Sequence, residues 1–525
     1  MKGDNIVGCE YSAKGNNLFQ TFDPIRNLHN PTFFKEATMD EVLEAVSLAD
    51  QSFIELQSIS HFKRADFLAE IANEIELLGK ELIDCFTAES GFNNERAESE
   101  RNRTIDQLRV FSDLVRKNEW IEASIDLSDN LSQPPKPDIR KMYFGIGPVV
   151  VFGASNFPLA YSTAGGDTAA AFAAGCPVIV KSHPMHAGTG ELVSLAIVRA
   201  AIKTEMPKGV FSNLNAIGFE VAQKLVMHTK VKAVAFTGSI TGGRALFDLA
   251  NSRPEPIPVF AEMGSSNPVI ILPDGLVENV EQWSSMFASS ITTGSGQFCT
   301  KPGLIFLIDS PISDQFIAKL STKMLATQSS PMVHPAIMDK FELKKRERLV
   351  FGEDMILEKE GNIPLNFGRQ ALLLVKGEIF QANQLLQEEV FGPFSLIIKC
   401  VNSEEMVRCV SMLHGQLTGS IFGTDFEFVE NSKLISILKQ KVGRIIFNGV
   451  PTGVTVCASM HHGGPYPAST DSRFTAVGID SISRFSRPIV FQNCPQELLP
   501  HGLKNVNSLN ITRKINGKWS TDSIF

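Results

Sequence analysis

Residues 148–261 alternate short apolar runs with segments of helix length, and this alternation restricts the fold more than any other feature of the chain. The apolar runs have the length and composition of buried strands and lie at 148–152, 177–181, 209–214, 231–236 and 257–261. The segments between them have the composition of helices and lie at 163–174, 188–204, 220–228 and 241–251. The pattern predicts an α/β fold with a doubly wound parallel sheet, whose ligands bind beyond the carboxyl ends of the strands.

The regions outside this block add three further elements. A second alternating block begins at residues 267–271 and continues to about residue 448, which predicts another α/β domain. Residues 125–145 are rich in Ser, Asp and Pro, and this composition predicts an arm that leaves the main body. Residues 509–520 carry an Asn-Gly pair between two short polar–apolar stretches, which predicts a hairpin.

Composition favours small molecules as partners. A net charge of -8 over 525 residues leaves no basic excess to neutralise phosphates, so we expect no general affinity for nucleic acid or for an anionic membrane. The eight cysteines include no Cys-x-x-Cys pair, which argues against both a zinc site and a disulfide framework. Without a segment of signal-peptide character at the N-terminus, we expect a soluble, cytoplasmic protein.

One thiol follows a glycine-rich turn. Residues 294–299 are Gly-Ser-Gly-Gln-Phe-Cys, and a nucleophilic cysteine needs an approachable sulfur with backbone N–H groups nearby. Taken alone, Cys299 is better explained as a small buried apolar residue, because a lone Cys is more often that than a nucleophile. The residues at the strand ends decide between these interpretations.

Two polar residues follow the first two strands of the 148–261 block. Asn156 has an amide that can donate to a ligand, although an Asn shortly before a Pro is also a common turn residue. Lys181 closes the second strand, where it can hold ribose hydroxyls or a phosphate, or extend along the sheet edge into solvent. Both side chains are therefore candidate ligand-binding groups.

The last two strands of the block end in a glycine-rich turn and a carboxylate. The turn contains Gly238, Ser239 and Gly243 and precedes a predicted helix, a geometry that presents N–H groups to a pyrophosphate or simply caps the helix. Glu262 closes the fifth strand, and burial there is expected to raise its pKa and suit it to act as a general base. A capping or ion-paired acid is the alternative interpretation of Glu262.

These residues and their order resemble the NAD(P)-dependent aldehyde dehydrogenase superfamily over nearly the whole chain. The similarity rests on the segments around Asn156, Lys181 and Glu262 and on those at 236–239, 296–299 and 388–393. Within the superfamily, the segments at 164–168, 181–184, 451–454 and 462–468 are similar to those of α-ketoglutaric semialdehyde (2,5-dioxopentanoate) dehydrogenases. A bacterial fatty aldehyde dehydrogenase shares much of this pattern, so a medium-chain or long-chain aldehyde is the alternative substrate.

The resemblance implies a role for each matching residue. In catalysis, Cys299 is the nucleophile, Glu262 the general base and Asn156 an oxyanion donor, and the chemistry needs no metal. The implied cofactor is NADP or NAD. Its implied contacts are Lys181 at the adenosine ribose, Gly238, Ser239 and Gly243 at the pyrophosphate, and Glu389 and Phe391 at the nicotinamide ribose.

Two positions depart from the family pattern. Pro184 stands where strictly NAD-using relatives often carry a Glu, so the carboxylate that repels a 2′-phosphate is missing and NADP is allowed. Glu220 and His183 are further candidates near that ribose. Ser265 and Ser266 replace the common Gly-Lys after Glu262, which alters the surroundings of the base.

Substrate-binding residues are predicted with less support from the sequence. Phe157 and Tyr161 are expected to line the aldehyde site if the segment after Asn156 is a helix, as in relatives. Arg109 is a candidate partner for a substrate carboxylate, with a surface arginine as the alternative. His461 and His462 are candidates for proton transfer, with structural histidines as the alternative.

The resemblance also implies a domain organisation and an assembly. It divides the chain into a Rossmann-like dinucleotide-binding domain at 1–125 and 146–261, a catalytic domain at 262–463, and a small β oligomerisation arm with the C-terminal hairpin at 126–145 and 464–525. Relatives pair edge strands between subunits, so a homodimer or homotetramer is expected. A catalytically inactive binding or structural relative is the competing class, and it would be expected to have lost Cys299 or Glu262.

Overall fold

The computed structural model describes residues 1–352, 354–359, 361 and 363–525. Numbered in chain order, the strands are β1 (Asn5–Val7), β2 (Glu10–Ser12), β3 (Leu18–Asp23), β4 (Leu28–Lys35), β5 (Ser124–Asp126), β6 (Ile139–Gly145), β7 (Val149–Phe152), β8 (Val178–Lys181), β9 (Phe211–Leu214), β10 (Ala233–Thr237), β11 (Val259–Glu262), β12 (Val269–Ile271), β13 (Leu304–Ile308), β14 (Asp354–Glu358), β15 (Ala371–Lys376), β16 (Phe394–Cys400), β17 (Gln416–Phe422), β18 (Val442–Phe447), β19 (Ser486–Gln492), β20 (Arg513–Ile515) and β21 (Lys518–Ser520).

The α-helices carry similar labels in chain order. They are α1 (Met39–Leu56), α2 (His61–Leu77), α3 (Gly79–Ser90), α4 (Asn94–Lys117), α5 (Gly166–Ala174), α6 (Ala187–Lys203), α7 (Glu220–Met227), α8 (Ile240–Asn251), α9 (Pro273–Thr292), α10 (Pro311–Ala326), α11 (Pro335–Leu349), α12 (Gly377–Ala382), α13 (Ser403–Ser411), α14 (Asp425–Glu430) and α15 (Ser432–Lys441). Across the described residues, none of these helices has both the length and the apolar character that a membrane span requires.

The first sheet confirms the predicted doubly wound arrangement. Its strand order is β11-β10-β7-β8-β9-β1-β2, and β7 to β11 are parallel while β1 and β2 add an antiparallel edge. Val149, Val150 and Val151 of β7 are at most 1% exposed because helices cover both faces, which is why these strands appear in the sequence as unbroken apolar runs. The chain winds outward from β7 to β9 and then crosses back to β10, so the carboxyl ends of β7 and β10 lie side by side at the switch point.

The second sheet confirms the second α/β block. Its order is β14-β15-β16-β13-β12-β17-β18, parallel except for the antiparallel edge strand β14. The segment that carries Cys299 lies between α9 and β13, and the segment of Glu389 and Phe391 precedes β16. Both segments therefore enter this sheet at the amino ends of its strands.

A third, five-stranded sheet joins the predicted arm to the C-terminal region. Its order is β19-β6-β5-β20-β21, so of the two strands that flank the Pro-rich segment, β5 pairs with the hairpin strand β20 and β6 pairs with β19. The hairpin prediction is confirmed, because β20 pairs antiparallel with β21 and both turn residues, Asn516 and Gly517, have positive φ. The domain boundaries stay a prediction.

Candidate active site

The turn before Cys299 has a backbone that favours glycine. Gly294, Ser295 and Gly296 have φ of 56°, 56° and 65°, in the left-handed region. A Cβ on Gly296 would also lie 2.3 Å from the carbonyl oxygen of Gly392. The glycines therefore serve the backbone conformation and its close approach to the next loop.

Hydrogen bonds from Asn267 hold the backbone at Cys299 and just after it. The buried Asn267 donates from Nδ2 to the carbonyl oxygens of Cys299, at 2.8 Å, and of Lys301, at 2.9 Å. The Asn267 side chain also accepts from the Ser265 hydroxyl at 2.9 Å. Ser265, which departs from the family pattern, thus orients the amide that holds the Cys299 backbone.

Cys299 forms a compact cluster with one acid and one histidine. Its Sγ lies 3.5 Å from Nε2 of His462, and the same Nε2 lies 3.1 Å from Oε1 of Glu262. The three ligand-type atoms lie within 4.8 Å of one another, and Glu262 and His462 are buried. His461 is not part of this cluster, because its ring packs against the backbone at Gly443 and Gly463.

The surroundings of Cys299 keep its thiol protonated in the free protein. Burial raises the pKa of Cys299 well above its ordinary value of 9.0, and the Glu262 carboxylate raises it further, while the Arg103 guanidinium opposes the shift. A buried thiol next to an anion gains reactivity only when its proton is removed at the moment of attack. The neighbouring imidazole and carboxylate are placed to take that proton.

The pH dependence of thiol alkylation tests this electrostatic picture. With cofactor-free protein and iodoacetamide, we expect Cys299 modification to increase about tenfold per pH unit and to be still rising at about pH 9, because only the thiolate reacts. Glu262→Gln removes the adjacent negative charge and is expected to speed modification about three- to tenfold at about pH 8. Peptide mass spectrometry separates Cys299 from other thiols such as the exposed Cys457. A rate that levels off below about pH 8 in the unmodified sequence would contradict the raised pKa.

Asn156 points its amide at the turn that carries the thiol. Its Nδ2 donates to the carbonyl oxygen of Gln297 at 2.9 Å, and the side chain is buried. Gln297 is itself held within the turn by bonds from its amide to Gly294 and Pro331. Since an amide nitrogen carries two hydrogens, this bond leaves the second one able to donate to a ligand.

Phe157 and Tyr161 lie next to the thiol, but on turns and not on a helix. The chain forms turns from Pro158 until α5 begins at Gly166, so the expected helical setting is wrong. The buried Glu100 of α4 holds these turns by accepting from the N–H groups of Leu159 and Ala160 at 2.9 and 3.1 Å. Sequence reasoning missed Glu100 because it lies some 59 residues away along the chain.

The aromatic rings form one apolar cluster beside Cys299. The Phe157 ring lies 5.0 Å from that of Tyr161 and 5.5 Å from that of Phe298, both edge-on. The centroid of the Tyr161 ring also lies 6.3 Å from that of His462, which belongs to the cluster around Cys299. Val454, Val456, Met460 and Val477 complete the cluster.

Arg109 is not brought to this site. Its guanidinium donates to Glu76 at 2.8 Å, and both side chains are about half exposed. Arg103 of the same helix reaches the Tyr161 hydroxyl instead, at 2.9 Å. Six residues along an α-helix correspond to a rotation of about 240°, so Arg109 faces solvent when Arg103 faces the aromatic cluster. Residue type alone does not tell which arginine of α4 faces the site, and the prediction of Arg109 was therefore wrong.

The predicted pyrophosphate turn connects β10 to α8. Ser239 caps α8, because its hydroxyl accepts from the N–H of Gly242 at 3.2 Å. The N–H of Gly238 donates to the carbonyl oxygen of Glu262 at 3.0 Å, which ties the turn to the end of β11. Gly243 packs on Met263, and a Cβ there would lie only 2.7 Å from that side chain. The amino end of α8 begins two residues after Gly238 and is thus held beside the end of β11, where its positive dipole end can meet a phosphate.

Lys181 lies at the carboxyl end of β8, as predicted. Burial lowers its pKa to about 8, and the Glu36 carboxylate opposes this shift. Glu36 also accepts from the N–H of Ile217 at 2.7 Å, in the loop after β9. Glu220, which we considered as the acid near the ribose, begins α7 with an exposed side chain.

Glu389 precedes β16 of the second sheet, and its side chain contacts the backbone just after β11 of the first sheet. A Cβ on Gly264 would lie 2.4 Å from Oε2 of Glu389, so this carboxylate rests on the backbone just beyond Glu262. Burial raises the pKa of Glu389, and the Lys301 ammonium opposes that shift. Phe391 is half-buried in the same segment. A helix amino end, a lysine and a carboxylate for ribose hydroxyls fit a dinucleotide laid across these strand ends.

Comparisons with known proteins agree with this geometry. The model of the aldehyde dehydrogenase family matches residues 11–469. The chain is 42% identical over 502 residues to the α-ketoglutaric semialdehyde dehydrogenase of Acinetobacter baylyi, covering 93% of this chain and 94% of that one. It is 41% identical over 530 residues to α-ketoglutaric semialdehyde dehydrogenase 2 of Azospirillum brasilense, covering 99% of each. A solved lactaldehyde dehydrogenase shares the fold, with a TM-score of 0.81 at 20% identity over 93% of this chain and 98% of that chain.

Proposed function

The chain belongs to the aldehyde dehydrogenase family, and from this premise we propose that it oxidises α-ketoglutaric semialdehyde to α-ketoglutarate with NAD or NADP. The observation that carries the choice of substrate is the identity of 41–42%, over nearly the full length, to two enzymes that are named for it. The chemistry is supported by the cluster of Cys299, His462 and Glu262.

The first step makes the thiolate and the carbon–sulfur bond. As Cys299 attacks the aldehyde carbon, its proton passes to Nε2 of His462, 3.5 Å away, and Glu262 at 3.1 Å stabilises the imidazolium. The carbonyl oxygen becomes an oxyanion and accepts hydrogen bonds from the Asn156 amide and the Cys299 backbone N–H. His462 is therefore added to the predicted catalytic residues as the group next to the thiol.

The second step depends on a hydride acceptor and a water. When bound, NAD or NADP supplies the hydride acceptor. Loss of hydride leaves a thioester on Cys299, which keeps the acyl group in the site. Glu262 then takes a proton from a water that attacks the thioester carbon, the carbon–sulfur bond breaks to release the acid, and the Cys299 sulfur takes back the proton held on His462.

A substrate panel tests the proposed function. Dinucleotide reduction is measured with α-ketoglutaric semialdehyde, pentanal and octanal, each with NAD and with NADP. We expect kcat/KM for the oxo acid to exceed that for either alkanal by about 100-fold or more. A preference for octanal would instead favour the medium-chain or long-chain alternative, and an absence of turnover with every aldehyde would favour the non-catalytic class.

We further propose that the protein works in the cytoplasm as a homodimer or homotetramer. All eight cysteines are free, which fits a reducing compartment. The outer strands of the third sheet, β19 and β21, leave Val490 and Trp519 more than half exposed, so these strands are candidates for pairing between subunits. Light scattering that gave a monomer mass at micromolar concentration would contradict the assembly.

A further inference from the structure

Three arginines surround the aromatic cluster beside Cys299, and they differ in whether their charge is compensated. Arg96 of α4 lies over the rings of Phe157 and Phe298, with its Cζ 4.5 Å from each centroid. Its Nε pairs with the buried Glu100 carboxylate at 3.2 Å. Arg96 is therefore neutralised within the protein.

Arg103 is not neutralised in this way. It lies two turns further along the same face of α4, donates to the Tyr161 hydroxyl at 2.9 Å, and has its Cζ 5.0 Å from the Tyr161 ring centroid. Among the described residues no carboxylate forms an ion pair with its guanidinium, although the Glu100 carboxylate attracts it from further away, and its buried Nε has no hydrogen-bond partner. The side chain keeps both its charge and an unused donor.

Arg444 lies on a strand of the second sheet and carries a second guanidinium that has no carboxylate partner among the described residues. It lies on β18, and its Nη2 donates to the carbonyl oxygens of Pro451 and Gly453 at 2.9 and 3.2 Å. Its Nη1 lies 3.9 Å from Sδ of Met460, which belongs to the apolar cluster. Its Nε is also buried without a partner, and no described carboxylate pairs with it.

Both guanidiniums act on the nucleophile. Cys299 is among the groups that interact electrostatically with Arg103 and with Arg444, and Tyr161 interacts with both as well. Burying a cation without a counterion costs free energy, and a bound anion recovers that cost. A carboxylate that arrives with the substrate would supply the missing counterion next to the thiol.

We infer that Arg103 and Arg444 together bind the carboxylate of an ω-oxo acid while its aldehyde carbon reaches Cys299. This inference rests on the proposed function. It assigns the substrate selectivity of that function to two residues, one on α4 and one on β18. Guanidinium groups suit carboxylates because they donate parallel charge-assisted hydrogen bonds. Phe157 and Phe298 then contact the methylene carbons between the two ends of the substrate.

The test compares a charged substrate with an uncharged one in matched variants. Arg103→Gln and Arg444→Gln are each assayed with α-ketoglutaric semialdehyde and with pentanal, which has the same number of carbons and no carboxylate. We expect kcat/KM for the oxo acid to fall about 100-fold, mainly through KM, and kcat/KM for pentanal to fall by at most about tenfold, because the loss of Arg103 also removes a charge that favours the Cys299 thiolate. Arg103→Lys and Arg444→Lys should recover part of the loss, because the positive charge returns.

Two further variants on α4 serve as controls. Arg116→Gln removes an exposed guanidinium that pairs with Asp66, and it should leave both substrates unaffected. Arg109→Gln tests the residue that the sequence had suggested. If Arg109→Gln, and not Arg103→Gln, abolished the preference for the oxo acid, the inference would be overturned.

The outcomes separate this inference from the proposed function. If the unmodified protein prefers pentanal to the oxo acid, the proposed substrate fails and the carboxylate site fails with it. If the unmodified protein prefers the oxo acid but both Gln variants keep that preference, only the carboxylate site fails. Equal losses with both substrates would show that the two arginines merely support the structure, which also overturns the inference.

Discussion

Cys299→Ser is expected to lower kcat by about 10⁴-fold or more with every aldehyde, because a serine hydroxyl is far harder to deprotonate than a thiol. The effect is large because the thiol of Cys299 is the nucleophilic group in the cluster that it forms with Glu262 and His462. A serine alkoxide would also make an ester, which hydrolyses less readily than a thioester. The measurement is steady-state dinucleotide reduction under saturating substrate.

The control for this prediction is a second Cys→Ser substitution outside the site. Cys494→Ser changes a free thiol in the segment after β19 and should leave kcat unchanged. Dinucleotide binding and the midpoint of thermal unfolding of Cys299→Ser should match those of the unmodified protein, since the side chains are nearly the same size. Retention of more than about a tenth of kcat by Cys299→Ser would exclude Cys299 as the nucleophile.

Glu262→Gln is expected to keep the first turnover and lose the following ones. Glutamine preserves the shape of the side chain but cannot take a proton from water, so the thioester on Cys299 accumulates. We expect a burst of about one dinucleotide reduced per subunit, followed by a steady-state rate about 10³-fold below that of the unmodified protein. Rapid-mixing absorbance records the burst, and mass spectrometry of the quenched protein detects the acyl group on Cys299.

The presence or absence of the burst in each variant distinguishes the role of Glu262 from that of His462. If His462 were the base for hydrolysis, His462→Asn would show the burst and Glu262→Gln would not. Loss of the burst in Glu262→Gln would mean that the contact of the carboxylate with His462 is indispensable in the first step, and the assignment of Glu262 to hydrolysis would then lose its support. Glu255→Gln, an exposed acid shortly before the same strand, should turn over normally and serves as the control.

The sequence predicted the first sheet well because its strands are buried on both faces. Runs such as 148–152 and 231–236 contain little besides apolar residues, and they appear as β7 and β10 with shifts of one or two residues at their ends. The parallel arrangement then places Asn156, Gly238 and Glu262 together, since the ends of parallel strands share one edge. This part of the site required only local pattern and topology.

Helical phase and long-range contacts were harder to predict. Arg103 and Arg109 lie on one helix and are chemically identical, yet packing turns one toward Tyr161 and leaves the other with Glu76 in solvent. Similarly, His461 and His462 are adjacent, and only the fold decides which one meets Cys299. Which of two such residues faces the site depends on the position of each along its helix or loop. A pattern of apolar residues does not resolve that position.

By itself, the sequence determined the α/β class and predicted a nucleophile in a glycine turn, a base at a strand end and a turn for the dinucleotide, because each depends on residue type and local backbone. Only the tertiary structure decided which side chains act on Cys299: Glu262 and His462, contributed from positions 200 residues apart, and the arginines Arg103 and Arg444, whose charges interact with the thiol. Distances between such groups follow from the packing of two sheets against each other. That packing is a property of the whole chain, and no single segment encodes it.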